Sequence, residues 1–149
     1  MRLIIQRVVN ASVEVEGKRV SEISKGLLVF LGIGAEDGEV DKDYLIQKLI
    51  QLRIFSDMDG KMNLSILDIK GEILVVSQFT LYADTKKGNR PSFVKSAPPD
   101  VARERYEAFL RDLTHQSGLR VAAGIFGADM KVNLINDGPV TIWMDSQQR

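Results

Sequence analysis

Hydrophobic and polar residues change rhythm several times along the 149-residue chain, and each rhythm predicts an element. "LIIQRVVNASVEVEG" alternates after Ile5 with the period of two that marks a half-buried strand, and "KRVSEI" returns from the "EGK" turn as a hairpin partner. "GLLVFLGI" (26–33) is continuously apolar, which suits a strand covered on both faces. "DKDYLIQKLIQLRIF" places Tyr44, Leu45, Leu49 and Leu52 on one helical stripe, with Asp41 and Asp43 in the first turn, where the helix dipole favours acids. "DMDGKMN" reads as a turn, and "EILVVSQFTLYA" as a strand that passes from apolar to polar midway. "PPDVARERYEAFLRDLTHQSG" predicts a second helix: prolines near its start, Ala102, Tyr106, Phe109, Leu110 and Leu113 inward, Gly118 as its stop. "LRVAAGIFGADMKVNLINDGPVTIWMD" returns to strand patterning. Mostly strands with two amphipathic helices predict an α+β fold, the helices lying against curved, antiparallel or mixed β-sheets. No repeat, linker or low-complexity tract interrupts this pattern, so residues 1–149 are read as a single domain.

Composition narrows the class. Hydrophobic residues make up 44% and charged residues 27%, ordinary values for a globular protein. No window approaches the roughly 18 apolar residues that span a bilayer, and "MRLIIQRVVN" is too short and too charged for a signal peptide's apolar segment. A cytoplasmic protein without membrane association is expected. The absence of cysteine excludes a disulfide framework and thiolate metal sites. The 20 basic and 20 acidic residues cancel, which argues against broad electrostatic binding of nucleic acid such as DNA. The charge is not evenly spread, however. "TKKGNRPSFVK" (85–95) carries Lys86, Lys87, Arg90 and Lys95 with no acid. Such a loop is either a solvated surface or a set of phosphate contacts, which would position a nucleic acid without reading its sequence.

"NDGPVT" (136–141) lies between two alternating runs, "MKVNLI" and "VTIWMD". Asp-Gly between such runs predicts a two-residue hairpin turn. Pro139 then follows the glycine, although proline cannot donate to a strand ladder. A rigid Gly-Pro unit at a hairpin tip is the expectation.

Familiar catalytic templates fail here. "GIGAEDG" (32–38) follows a strand and precedes a helix, but its glycines are misspaced for a dinucleotide loop and no βαβ series continues from it. A plain turn is favoured over nucleotide binding. "DMDG" lacks the glycine position and the final glutamate of a calcium loop. His115 is the only histidine and sits near a helix end, where a structural role outweighs a catalytic one. One histidine without cysteine makes catalytic zinc improbable, so no metal and no cofactor are expected. What remains is "SQFTL" (77–81), with Ser77, Gln78 and Thr80 at the end of an apolar strand. These are either a strand emerging at the surface or, with nearby N–H groups, a polar pocket able to stabilise an oxyanion. Periodicity does not choose between the two.

"SQFTL" and "NDGPVT", about 55 residues apart in this order, resemble the two signature motifs of the D-aminoacyl-tRNA (D-tyrosyl-tRNA) deacylases. The similarity extends from "MRLIIQRV" through "GLLVFLGI", "KGNRPSF" and "FGADM". The resemblance implies a homodimer of barrel-like subunits with active sites at the subunit interface. It implies hydrolysis of the ester joining a D-amino acid, or glycine mischarged on tRNA-Ala, to the terminal adenosine of a tRNA. Gly138-Pro139 would be the family's cis-proline motif, reaching into the partner's pocket, accepting from the substrate's α-amino group and leaving no space for an L side chain. Ser77, Gln78, Phe79 and Thr80 would form the wall and oxyanion region. Phe126 and Met130 would bracket the terminal adenine, though on pattern alone core filling is the preferred reading. Arg7 resembles the residue that braces the Gly-Pro motif. Thr80 as a nucleophile would need a base, and none is evident. The alternative, favoured by the resemblance, is assistance from the tRNA's own ribose 2′-hydroxyl. A protein that only sequesters aminoacyl ends would share the same pocket and basic loop.

Overall fold

The computed structural model describes residues 1–149. Strand β1 (Arg2–Val15) turns at Glu16 and Gly17, both with positive φ (51° and 73°), into β2 (Lys18–Ile23). This is the hairpin the alternation predicts. Strand β3 (Gly26–Gly32) leads to helix α1 (Glu39–Gln51) and a short hairpin, β4 (Phe55–Ser56) with β5 (Met62–Leu64), around the "DMDG" turn. Strand β6 (Glu72–Ser77), a 3-10 turn (Phe79–Tyr82), helix α2 (Pro99–Ser117), β7 (Val121–Ala123) and β8 (Lys131–Asp145) complete the order.

Six strands form one mixed, barrel-like sheet in the order β2-β1-β3-β6-β7, with β8 on the other edge of β1. β1 is antiparallel to β2, β3 and β8, whereas β3–β6 and β6–β7 are parallel. Each helix belongs to a parallel crossover, the connection that such pairs require. Both helices pack on one face of the sheet. There Leu3, Ile5, Leu27, Val29 and Val75 meet Leu45, Leu49, Tyr106 and Phe109 in a core of 21 buried residues. The opposite face gathers a smaller cluster that includes Val8, Val13, Leu28 and Leu74. β3 therefore contributes to both clusters, which explains its unbroken apolar run.

Both helices lie where the 3.6-residue pattern puts them, with one adjustment. α1 stops at Gln51, and Leu52 turns to an extended conformation (φ −63°, ψ 118°) that starts the approach to β4. α2 ends where Gly118 takes a left-handed conformation (φ 65°), closing on the Thr114 carbonyl at 3.0 Å. The run "SQFTLYA" is not strand beyond Ser77; it winds into the 3-10 turn.

"NDGPVT" is not a hairpin. A hairpin turn would pair its flanking runs with each other, but both pair with β1, from Glu14–Lys131 through to Arg2–Asp145. Between the Val8–Asn136 and Gln6–Thr141 pairs β8 advances five residues against two of β1, so the surplus loops out as a wide bulge in one continuous strand. No helix is long and apolar enough to cross a membrane.

Candidate functional site

A cavity of about 580 Å³ opens beside the carboxyl ends of the parallel strands β3 and β6. Its walls include Ser77, Gln78 and Phe79 on one side and Phe126 and Met130 on the other, with the first turn of α2 as floor. The crevice beyond parallel strand ends is a recurrent place for ligands, because side chains and backbone diverge there. The lining is mainly apolar with a few polar groups, the composition of a small-molecule site.

The local turn follows from the ladder running out. Gln78 N–H donates to the Leu31 carbonyl at 2.8 Å, after which the chain curls into the 3-10 turn. The leading N–H groups of such a turn have no partner inside it. Gln78 Nε2 donates to Thr80 Oγ1 at 2.6 Å. Thr80 is exposed and does not line the cavity. Phe79 is 58% exposed and meets Phe93 edge-on at 5.0 Å. Ser96 Oγ donates to the Phe79 carbonyl at 3.2 Å, tying the 3-10 turn to the segment that precedes α2.

Phe126 and Met130 serve two surfaces at once. Phe126 packs against the helical core and Tyr106, while Arg103 stacks over its ring at 5.0 Å. Met130 packs on the smaller cluster, and both also face the cavity. Core filling and ligand contact are therefore not exclusive here.

No side chain in the cavity is equipped as a general base. Asp129, the acid in its lining, is paired with Lys131 through contacts of 3.0 and 2.9 Å. Tyr106 donates to the Val75 carbonyl at 2.8 Å, and burial pushes its phenol well above the usual range, so it stays protonated. His115 lies in the last turn of α2, whereas Pro99 and Ala102, from the other end, line the cavity.

The β8 bulge sits apart from this cavity. The Gly138–Pro139 peptide bond is cis, and both residues are exposed. Neither lines the cavity of its own chain. Two side chains hold the bulge from beneath. Arg7, only 8% exposed, donates from Nε to the Asp137 carbonyl at 2.8 Å and from Nη1 to the Ile54 carbonyl at 2.5 Å. Asn136 Oδ1 accepts from Val140 N–H at 2.7 Å, while its Nδ2 donates to the Val140 carbonyl and Thr141 Oγ1, both at 3.2 Å. Gly138 has φ 144°, a conformation L residues rarely adopt. A Cβ there would lie 2.7 Å from Val140 Cγ2 and 2.9 Å from Val140 N.

The structure thus brings Ser77, Gln78, Phe79, Phe126 and Met130 into one cavity and leaves Thr80 just outside it. Arg7 joins Gly138 and Pro139 in a separate region. Phe93, Ser96 and Asn136 escaped sequence reasoning. Phe93 ends the "KGNRPSF" segment of the resemblance, but within 85–95 only the charges carry an assigned role. Asn136, ahead of Asp-Gly, was a turn signal whose partner carbonyl lies four residues on.

The other motifs satisfy themselves. In "GIGAEDG" the buried Asp37 carboxylate accepts from Gly34 N–H at 2.6 Å and Tyr82 Oη at 3.0 Å, so an acid occupies the place a phosphate would need. Asp57 in "DMDG" accepts from Asn63 Nδ2 at 2.6 Å and from the N–H groups of Asp59 and Lys61 at 2.9 Å. Those bonds, the Asn63 one foremost, hold its carboxyl below the usual aspartate value. Glu39, Asp43 and Asp112 converge closely enough to share an ion, but the Lys42 ammonium pairs with all three.

These features define a small α+β protein with a strand-end cavity and a separate backbone bulge. The family model for D-Tyr-tRNA(Tyr) deacylase matches residues 4–145, and the chain belongs to that family. It is 57% identical over 148 residues to the D-aminoacyl-tRNA deacylase of Thermosipho africanus (strain TCF52B), covering 99% of both chains. It is 57% identical over 149 residues to the D-aminoacyl-tRNA deacylase of Flavobacterium johnsoniae, covering 100% of this chain and 99% of that one. Among solved structures, a c-Myc DNA Unwinding Element Binding Protein superposes with TM-score 0.92 at 41% identity, over 97% of this chain and 98% of the other. A probable eukaryotic D-amino acid tRNA deacylase superposes with TM-score 0.84 at 18% identity, over 96% and 97%, a likeness of fold.

Proposed function

We propose that this chain hydrolyses the ester between a D-amino acid and the terminal adenosine of a tRNA, working as a homodimer whose Gly138–Pro139 bulges each complete the partner's cavity. The observation that carries this reading is the separation of the bulge from the cavity within one chain, in a member of a deacylase family. A second copy supplies the missing wall. An uncovered apolar patch supports the pairing: Ile4 lies between Phe30 and Trp143 on the sheet face opposite the helices, and Trp143 is 50% exposed.

In this arrangement the bulge's carbonyls accept from the substrate's α-amino group. Main-chain recognition ignores side-chain identity, so many D-amino acids fit, while an L side chain meets the bulge itself. Glycine carries no side chain to reject, so glycyl-tRNA-Ala is also hydrolysed. Phe126 and Met130 flank the terminal adenine. Ser77 and the N–H groups opening the 3-10 turn receive the developing oxyanion. No base faces Thr80, so the ribose 2′-hydroxyl of the tRNA assists the attacking water, and the protein contributes orientation.

Matched D- and L-tyrosyl-tRNA, incubated with stoichiometric and then catalytic amounts of protein, test the reading. The D-ester is expected to turn over many times while the L-ester persists. Hydrolysis that stops at one equivalent would indicate sequestration, and equal hydrolysis of both esters would remove the chirality filter.

A further inference from the structure

We infer that the loop 85–95 is a phosphate-binding strap for the 3′ arm of the tRNA, through Lys86, Lys87, Arg90 and Lys95. The inference rests on the deacylase reading and adds a site that the cavity alone does not provide. These four cations stand without an acid in a chain of zero net charge, so the remainder of the chain carries a matching excess of four acids. All four are exposed, and none takes part in an ion pair. Asp84, at the edge of the stretch, spends its carboxylate on the Lys86 N–H at 2.9 Å and leaves the ammonium free.

The loop is fastened to the cavity at its root and open at its tip. Asp84 and Ser92 exchange backbone bonds of 2.8 and 2.9 Å, and the Lys95 carbonyl accepts from Ala35 N–H at 3.1 Å. Between these ties Phe93 lines the cavity and packs on Phe79. Arg90 and Lys95 lie two or three residues from Phe93, and three residues of chain span at most about 10 Å. A nucleoside seated in the cavity therefore leaves its 5′ phosphates within reach of these cations. Phosphate contacts position a nucleic acid without reading bases, which suits an enzyme that must accept many tRNAs.

The test compares two substrates, D-tyrosyl-tRNA and the D-tyrosyl ester of adenosine, which has no phosphate. Lys86→Ala/Lys87→Ala and Arg90→Ala/Lys95→Ala remove side chains that make no hydrogen bond in the structure, so folding is not at stake. Lys18→Ala/Lys25→Ala, at the start of β2 and in the turn after it, controls for net charge. For wild type, kcat/KM on the tRNA should exceed that on the adenosine ester and fall with salt. Each loop pair should lower the tRNA-to-ester ratio about tenfold at low salt and flatten the log–log salt slope by about two. The control pair should leave the ratio unchanged. An unchanged ratio in both loop variants, or an equal fall in the control, overturns the strap. Wild type that hydrolyses the ester but gains nothing from the tRNA also overturns the strap while the deacylase reading stands. Failure on both substrates removes the deacylase reading itself.

Discussion

The cavity and the Gly138–Pro139 bulge belong to one sheet yet present opposite kinds of surface. The cavity uses side chains held where β6 ends, with Phe79 and Phe93 in edge contact and Met130 anchored in a core cluster. The bulge presents main chain, fixed from below by Arg7 and Asn136. Substitution of a cavity residue changes which surface a ligand meets. Substitution in the bulge changes where a carbonyl points, and no other residue type reproduces it. Under the proposed function, side chains meet the constant part of the substrate, the adenosine, and backbone meets the part that varies.

The largest expected effect tests this difference at the bulge. Gly138→Val puts a Cβ into Val140 and against Arg7 Nη2, 3.1 Å away, in a backbone conformation that disfavours it. Displacement of the carbonyl by around 1 Å should lower kcat/KM on D-tyrosyl-tRNA by about a hundredfold or more. Activity within a few-fold of wild type would refute main-chain recognition.

Arg7→Lys comes next. A lysine cannot span the Asp137 and Ile54 carbonyls with one planar fork, so the exchange is not conservative. A buried carbonyl left unpaired costs about 1–3 kcal/mol. Thermal unfolding should report that loss, and D-ester hydrolysis should fall about tenfold because the bulge loosens. A destabilised enzyme with full activity would show that Arg7 supports the fold alone.

Thr80→Ala should matter less. Thr80 is exposed and outside the cavity, and its hydroxyl bonds only with the Gln78 side chain. Its removal should cost far less than the roughly million-fold loss that follows removal of a true nucleophile. A tRNA ending in 2′-deoxyadenosine should suffer more. Isolation of an acyl group on Thr80 would contradict substrate assistance.

The smallest effect lies far from both regions. Asp112 pairs with Lys42 across the two helices, and that bond keeps its carboxyl below the ordinary value of 3.8. A depressed folded value stabilises the protein above the unfolded value and is lost as pH falls through the folded one. Asp112→Asn should therefore lower stability by about 1 kcal/mol or less at pH 7. Denaturant titrations at decreasing pH should show the gap closing below pH 3.8. A constant gap would assign the loss to packing.

Both helices were legible because their signals are local: apolar period, acids in the first turn, Gly118 at the end. So was β3, whose unbroken apolar run has no other comfortable setting than a two-faced core. The bulge was misread for a physical reason. Asp137-Gly138 carries the local signature of a hairpin, but the strand that captures both flanks, β1, lies more than a hundred residues earlier, and its pairing outweighs the turn preference. The cavity was half legible. Ser77 and Gln78 stood out as polar positions after an apolar strand and Phe79 through the family resemblance, whereas Phe93 enters through a loop whose path only the tertiary structure sets.

Complementation tests the central claim, that each bulge completes the partner's cavity, most directly. Gly138→Val and Phe79→Ala chains, each expected to lose activity alone, are unfolded together, refolded as mixed dimers and assayed on D-tyrosyl-tRNA. If bulge and cavity act across the interface, each mixed dimer holds one intact site and one doubly defective site. A one-to-one mixture then recovers about a quarter of wild-type activity, since half the dimers are mixed. Proven mixed dimers with no more activity than either parent would mean that each cavity uses its own bulge, and would contradict the account.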